Sequence, residues 1–166
     1  MIAAQVESSS IMEYIDATYP EPALLRADQA KIADAQKATA NVFPSLAAFL
    51  KAEEFDFYAE KALLSALADF EAFLATRKEG DRLLFGKDLS LLDCSLAPKM
   101  YVVDEGLGHF FPDTRTKVRE RFKAVEDYMK NAFATEAFEE TKYPRKTLVW
   151  GWDCARKEAG GKACGV

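Results

Sequence analysis

The groups in this sequence best suited to nucleophilic or general-base work are three thiols and one imidazole: Cys94, Cys154, Cys164 and His109. A cysteine attacks as its thiolate, so its surroundings decide whether it reacts. Cys94 stands in the apolar run Leu91-Leu92-Asp93-Cys94-Ser95-Leu96-Ala97, where burial keeps a thiol protonated and inert. Cys154 and Cys164 lie among Arg156, Lys157, Gly160, Gly161 and Lys162, and positive charge favours the thiolate. Their spacing is neither Cys-x-x-Cys nor a metal-ligand pattern. The plainer reading of the pair is two exposed tail thiols open to oxidation. His109, in Gly106-Leu107-Gly108-His109-Phe110, has no partner motif and reads as a hydrogen-bonded structural histidine. With one histidine in the chain, neither a zinc site nor a Ser-His-Asp triad has its surrounding motif, and no metal is expected.

The best-defined local motif is Ser90-Leu91-Leu92-Asp93. At N-cap and N3 of a helix, the Ser hydroxyl accepts from the N3 backbone N–H and the acid accepts from the N-cap N–H. The following residues, Cys94 to Tyr101, are mostly apolar, so this box opens a buried helix and satisfies donors that water cannot reach. Such a box needs no catalytic role. A second start signal is Val6-Glu7-Ser8, followed by Ile11 and Tyr14-Ile15. Taken by itself it is a Ser-rich helix start without a ligand.

Those motifs must be held by helices. Ser10–Tyr19 has apolar residues at helical spacing and ends at Pro20 and Pro22. Ala27–Leu50 is the longest helical pattern, bent at Pro44. Asp56 caps a helix over Phe57–Thr76. Ser90–Glu105 is an apolar helix stopped by Gly106 and Gly108, and Thr114–Phe133 is amphipathic. Thr135–Thr141 is short, and the tail from Tyr143 reads as irregular. The expected class is all-α, a bundle of five or six helices with one further helix at the N-terminus.

The chain has 166 residues, 49% hydrophobic and 30% charged, the balance of one globular domain. A net charge of -5 speaks against a nucleic-acid or anionic membrane partner. No apolar run is long enough to cross a bilayer. The first ten residues carry no Lys or Arg and no apolar run, so they do not read as a secretory signal. An odd cysteine count in that setting reads as a reducing compartment, and the expected location is cytoplasmic, or organellar if a transit peptide belongs upstream.

The capping box after Phe85-Gly86 resembles the C-terminal domain of glutathione transferases. Further blocks resemble the glutathione-dependent dehydroascorbate reductases of that superfamily: Val42-Phe43-Pro44-Ser45, Ser95-Leu96-Ala97-Pro98-Lys99-Met100-Tyr101, and Gly106-Leu107-Gly108-His109-Phe110. Tyr128-Met129-Lys130, Phe138-Glu139-Glu140-Thr141-Lys142 and Gly151-Trp152 continue the series, in the family's order and spacing. The chloride intracellular channel proteins share the architecture and match less closely.

The resemblance implies reduction of dehydroascorbate to ascorbate with glutathione as co-substrate, no tightly bound cofactor, and a monomer. Residues 1–22 would be the end of a thioredoxin-like domain, 23–152 the helical domain and 153–166 a flexible tail. Glu7 and Ser8 would hold the γ-glutamyl carboxylate of glutathione at a helix start, which suits anion binding there. Trp152 would either pack the terminus onto the bundle or wall the acceptor pocket. The family's nucleophilic cysteine precedes its acid-Ser pair, and the six residues before Glu7 contain neither Cys nor Pro. The expectation is therefore an inactive or truncated form of the reductase. The alternative is a non-enzymatic helical binding or scaffold module, since fold does not fix function.

Overall fold

The structure is a computed structural model that describes residues 8–21, 24, 25 and 27–161. The all-α expectation holds. Among the described residues ten α-helices follow one another: α1 (Ser8–Thr18), α2 (Gln29–Thr39), α3 (Val42–Lys51), α4 (Phe57–Leu74), α5 (Leu91–Tyr101), α6 (Leu107–Phe110), α7 (Pro112–Arg121), α8 (Lys123–Phe133), α9 (Glu136–Thr141) and α10 (Arg145–Ala159). Among the described residues the only β-type pairing is an isolated parallel bridge between Leu25 and Ser90.

The core forms where α4 packs on α2, α3 and α8, while α5 packs on α8. Leu63, Leu67 and Phe70 of α4 lie one helical turn apart and are wholly buried. They meet Leu46, Phe49 and Leu50 of α3 and Val125 and Tyr128 of α8 in one continuous cluster. Burial of a large apolar side chain contributes about 1.5–3 kcal/mol, so this cluster supplies most of what holds the bundle.

Two expected helices are divided, and a third runs on past its expected stop. The Ala27–Leu50 pattern breaks at Ala40 and Asn41 rather than bending at Pro44. Pro44 falls in the first turn of α3, where its missing N–H has no intrahelical partner to lose. Thr114–Phe133 breaks at Phe122, which leaves helical geometry at φ -118° and ψ 77°. The α8 N-terminus is capped from elsewhere: the Glu71 carboxylate of α4 accepts from Ala124 N at 3.0 Å and Val125 N at 2.8 Å.

The Ser90–Glu105 helix is not stopped by Gly106. After Tyr101 it widens into one π-helical turn over Val102–Gly106 and runs on as α6 to Phe110. Gly106 is there for close approach: a Cβ would sit 3.1 Å from Leu50 Cδ1. The chain turns only at Phe111, before Pro112 at the start of α7.

The segment from Tyr143, expected to be irregular, is instead helical over most of its described length. Arg145–Ala159 is α10, fifteen residues long, so helix runs across the expected boundary at residue 153. Leu148 of α10 is buried and Trp152 packs edge-on against Phe43, with ring centroids 6.4 Å apart. Arg156 completes the attachment. Its guanidinium donates to Leu50 O at 2.6 Å and Glu53 O at 2.8 Å, and lies over the rings of Phe110 and Phe111. The Leu50 carbonyl, left open in the last turn of α3, and the Glu53 carbonyl just beyond the helix thus gain donors from α10.

Candidate functional site

The capping box is present in full. Ser90 Oγ accepts from Asp93 N at 3.2 Å, and the Asp93 carboxylate accepts from Ser90 N at 2.9 Å and from Ser90 Oγ at 2.6 Å. Asp93 is wholly buried, and two further donors reach it: Leu84 N at 3.2 Å and Tyr128 Oη at 3.1 Å. One carboxylate therefore ties together the start of α5, the preceding loop and α8. Burial above all, then the Asp93 charge and the bond to it, pushes the Tyr128 phenol well above its usual range.

This box fixes α5 beside α1, which packs against it. Between them lies a cleft of about 490 Å³ lined by Met12, Glu13, Leu25, Ile32, Phe85 and Ser95. Ser8 is the first residue of α1. Glu7 lies outside the described residues. A second space of about 330 Å³ adjoins the cleft in the gap between α2 and α5, with Gln36, Leu92 and Ser95 lining both. Phe43, Thr39 and Lys99 line that farther end.

Trp152 is not brought to the α1 cleft. It stands behind Phe43 and lines a separate shallow groove of about 370 Å³ with Lys51, Tyr143 and Thr147. His109 is exposed and meets Phe110 edge-on, with ring centroids 4.7 Å apart.

The cysteines divide. Cys94 is half-buried and free. Burial raises its thiol, the Asp93 charge raises it further, a backbone hydrogen bond works weakly against this, and the Asp16 charge raises it too. It is thus a poor nucleophile at neutral pH. Cys154, expected as an exposed thiol, is disulfide-bonded. Cys164 lies outside the described residues. No group of three His, Cys, Asp or Glu side chains among the described residues could hold a metal ion, and no described helix is long and apolar enough to cross a membrane.

Residue patterns alone did not disclose Tyr128 as the partner of Asp93, Arg156 as the anchor of α10, or Lys99 at the end of the groove. Lys99 had a local signal: Ser95 stands four residues before it, on the same helical face.

No family model matches the chain. It is 30% identical over 146 residues to a rice (Oryza sativa subsp. japonica) protein named probable glutathione S-transferase DHAR2, chloroplastic, covering 88% of this chain and 50% of that protein. It is 30% identical over 147 residues to glutathione S-transferase DHAR2 of Arabidopsis thaliana, covering 89% of this chain and 64% of that protein. Another rice relative, at 30% over 146 residues, is named a cytosolic form; the match covers 88% of this chain and 63% of that protein. The chain thus spans between half and two thirds of the length of these relatives. The crystal structure of Chlamydomonas reinhardtii dehydroascorbate reductase superposes with a TM-score of 0.70 at 26% identity, over 89% of this chain and 65% of that one. The chain is a homologue of the dehydroascorbate reductases among the glutathione S-transferases, and its described residues have the fold of that superfamily's C-terminal helical domain.

Proposed function

We propose that the chain serves glutathione-dependent reduction of dehydroascorbate by forming the helical wall of the acceptor pocket. In that reaction two glutathione thiols are oxidised to one disulfide, and their two electrons and two protons convert dehydroascorbate to ascorbic acid. The observation that carries this reading is the groove running from α1 between α2 and α5, lined by apolar and polar side chains together. A small-molecule site typically has about that make-up and a volume of roughly 300–1,000 Å³.

Residues 1–22 correspond in this reading to the end of the thioredoxin-like domain. Ser8, the first residue of α1, and Glu7, which precedes it in sequence, would take the γ-glutamyl carboxylate of glutathione. Trp152 remains a pocket residue only through Phe43, against which it packs. The protein would act as a monomer, without a tightly bound cofactor.

The reaction needs a thiolate of low pKa to open the exchange. Cys94 is pushed the wrong way and Cys154 is bonded. We therefore propose that these 166 residues by themselves are an inactive form. The same observation favours the second reading, a helical binding module without chemistry. The test is ascorbate formation from dehydroascorbate and glutathione by the purified chain. No rate above the uncatalysed one is expected. Turnover within tenfold of the enzyme median of about 10 per second would overturn the inactive assignment. It would also place the nucleophile among Cys94, Cys154 and Cys164, to be found by serine substitution.

A further inference from the structure

The far end of the α2–α5 groove holds a cation that no described carboxylate pairs with. Lys99 is half-buried, and its ammonium donates to Ser95 Oγ at 3.1 Å. No carboxylate among the described residues pairs with it. An ammonium has three protons to give, and a hydroxyl takes one. Phe43, Pro44, Leu92 and Leu96 form the apolar part of the surrounding wall. Such a wall lowers the local dielectric and strengthens any charge-assisted bond made there. Gln36 lines both parts of the groove and lends an amide to the same space. The space of about 330 Å³ is at the small end for ligand pockets, which run to roughly 300–1,000 Å³, so it suits one compact ring.

We propose that Lys99, positioned by Ser95, is the charge-recognising residue of this groove and binds a compact cyclic enolate in preference to its neutral counterpart. This rests on the reading of the groove as the acceptor pocket. There the neutral acceptor gains two electrons and one proton to leave as the ascorbate monoanion, whose negative charge sits on a ring enolate oxygen. A cation that meets that oxygen interacts more strongly with the reduced ring than with the oxidised one. Such a difference is what lets a binding group favour the electron-accepting step.

The test follows backbone amide signals of the whole chain by NMR while sodium ascorbate is added under nitrogen. A parallel series uses 3-O-ethyl ascorbate, in which the acidic hydroxyl is blocked and the ring stays neutral. Ascorbate should shift the amides of Gln36, Leu92, Ser95 and Lys99, and the ether should bind roughly tenfold more weakly. Lys99→Met should lose about the same factor, and Lys99→Arg should keep most of the affinity. Equal binding of the two ring compounds, or an unchanged affinity in Lys99→Met, overturns the role of Lys99. Ascorbate shifts confined to the Trp152 groove overturn it together with the reading of the α2–α5 groove as the acceptor pocket, whereas equal binding of the two compounds at the α2–α5 amides overturns only the role of Lys99. Acetate moving the same amides as strongly as ascorbate also overturns it, because charge alone would then be recognised. No shift anywhere at tens of millimolar ascorbate overturns both.

Discussion

Tyr128 on α8 donates its phenolic proton to the Asp93 carboxylate on α5 at 3.1 Å, and both side chains are wholly buried. The two residues are thirty-five apart in sequence. The bond turns a local helix cap into a tertiary clamp. Ser90 and Asp93 alone would start α5; with Tyr128 they also fix where α8 lies against it. Phe70 of α4 meets the Tyr128 ring edge-on at 5.4 Å between centroids, so the clamp is seated in the main core.

Asp93→Ala should destabilise the domain by about 4 kcal/mol. Loss of a cap costs about 0.5–2 kcal/mol, and a buried donor left without an acceptor costs about 1–3 kcal/mol more. Four donors lose their acceptor here, which places the change at the upper end of that sum. Asp88→Ala, at an exposed position two residues before the cap, should stay within about 0.5 kcal/mol. Urea melts of the two variants decide it. Equal midpoints would mean that the box does not hold a buried helix.

Tyr128→Phe should cost about 1.5–3 kcal/mol, the loss of one hydrogen bond to a charged group. It should also alter the alkaline limb of stability. The folded phenol titrates well above the usual value of about 10, so in alkali the native state holds a proton that the unfolded state has released. Stability from this group is full below about pH 10 and falls as pH rises above it. Each such group contributes a slope of about 1.4 kcal/mol per pH unit. Tyr101 and Tyr143 are also raised, so the Phe variant should lose one group's share of the slope and keep the rest. Denaturant midpoints at pH 9, 10 and 11 test this; an unchanged slope would place the Tyr128 proton outside the clamp.

The class of the fold was legible because helical spacing and caps are local. Asp56 accepts from Tyr58 N and Ala59 N as its place before α4 led one to expect, and the Ser90–Asp93 box formed as written. Helix breaks were not legible, because their causes lie across the fold. The α8 cap is a Glu from α4, more than fifty residues away. Gly106 looks like a stop but is a contact surface for Leu50. In α10, Gly151 and the paired Gly160-Gly161 masked the helical spacing of Leu148, Trp152 and Ala155. Its stability comes from Phe43, Phe110 and Phe111, which no window around residue 150 contains. At the site, the residue types of Ser95 and Lys99 were readable, but the gap they line exists only because α2 and α5 stand apart.

Arg156→Lys should not conserve function at that position. The planar fork reaches two carbonyls, Leu50 O and Glu53 O, while stacking over two rings. An ammonium reproduces neither the fork nor the stacking. Each lost bond costs about 0.5–1.5 kcal/mol, so a loss of about 1–3 kcal/mol is expected. Amide exchange should rise along α10 before it rises in α4. Uniform change across both helices would instead show that α10 opens only with global unfolding.

Cys94 gives the most direct check on whether these residues carry thiol chemistry. Its neighbours are wrong for a nucleophile: burial disfavours the thiolate, and Asp93 and Asp16 add negative charge beside it. At pH 7.5 the native chain should alkylate at Cys94 with iodoacetamide more slowly than free glutathione does, read by mass spectrometry of the peptide that contains it. In urea the rate should rise toward that of an ordinary thiol, since the unfolded group returns to a pKa of about 8.5. The pH profile in the native state should turn upward only above that value. An inflection below it, or alkylation faster than glutathione's, would show a thiolate stabilised at neutral pH. Cys94 would then be a working nucleophile on α5, and the inactive assignment would fall with it.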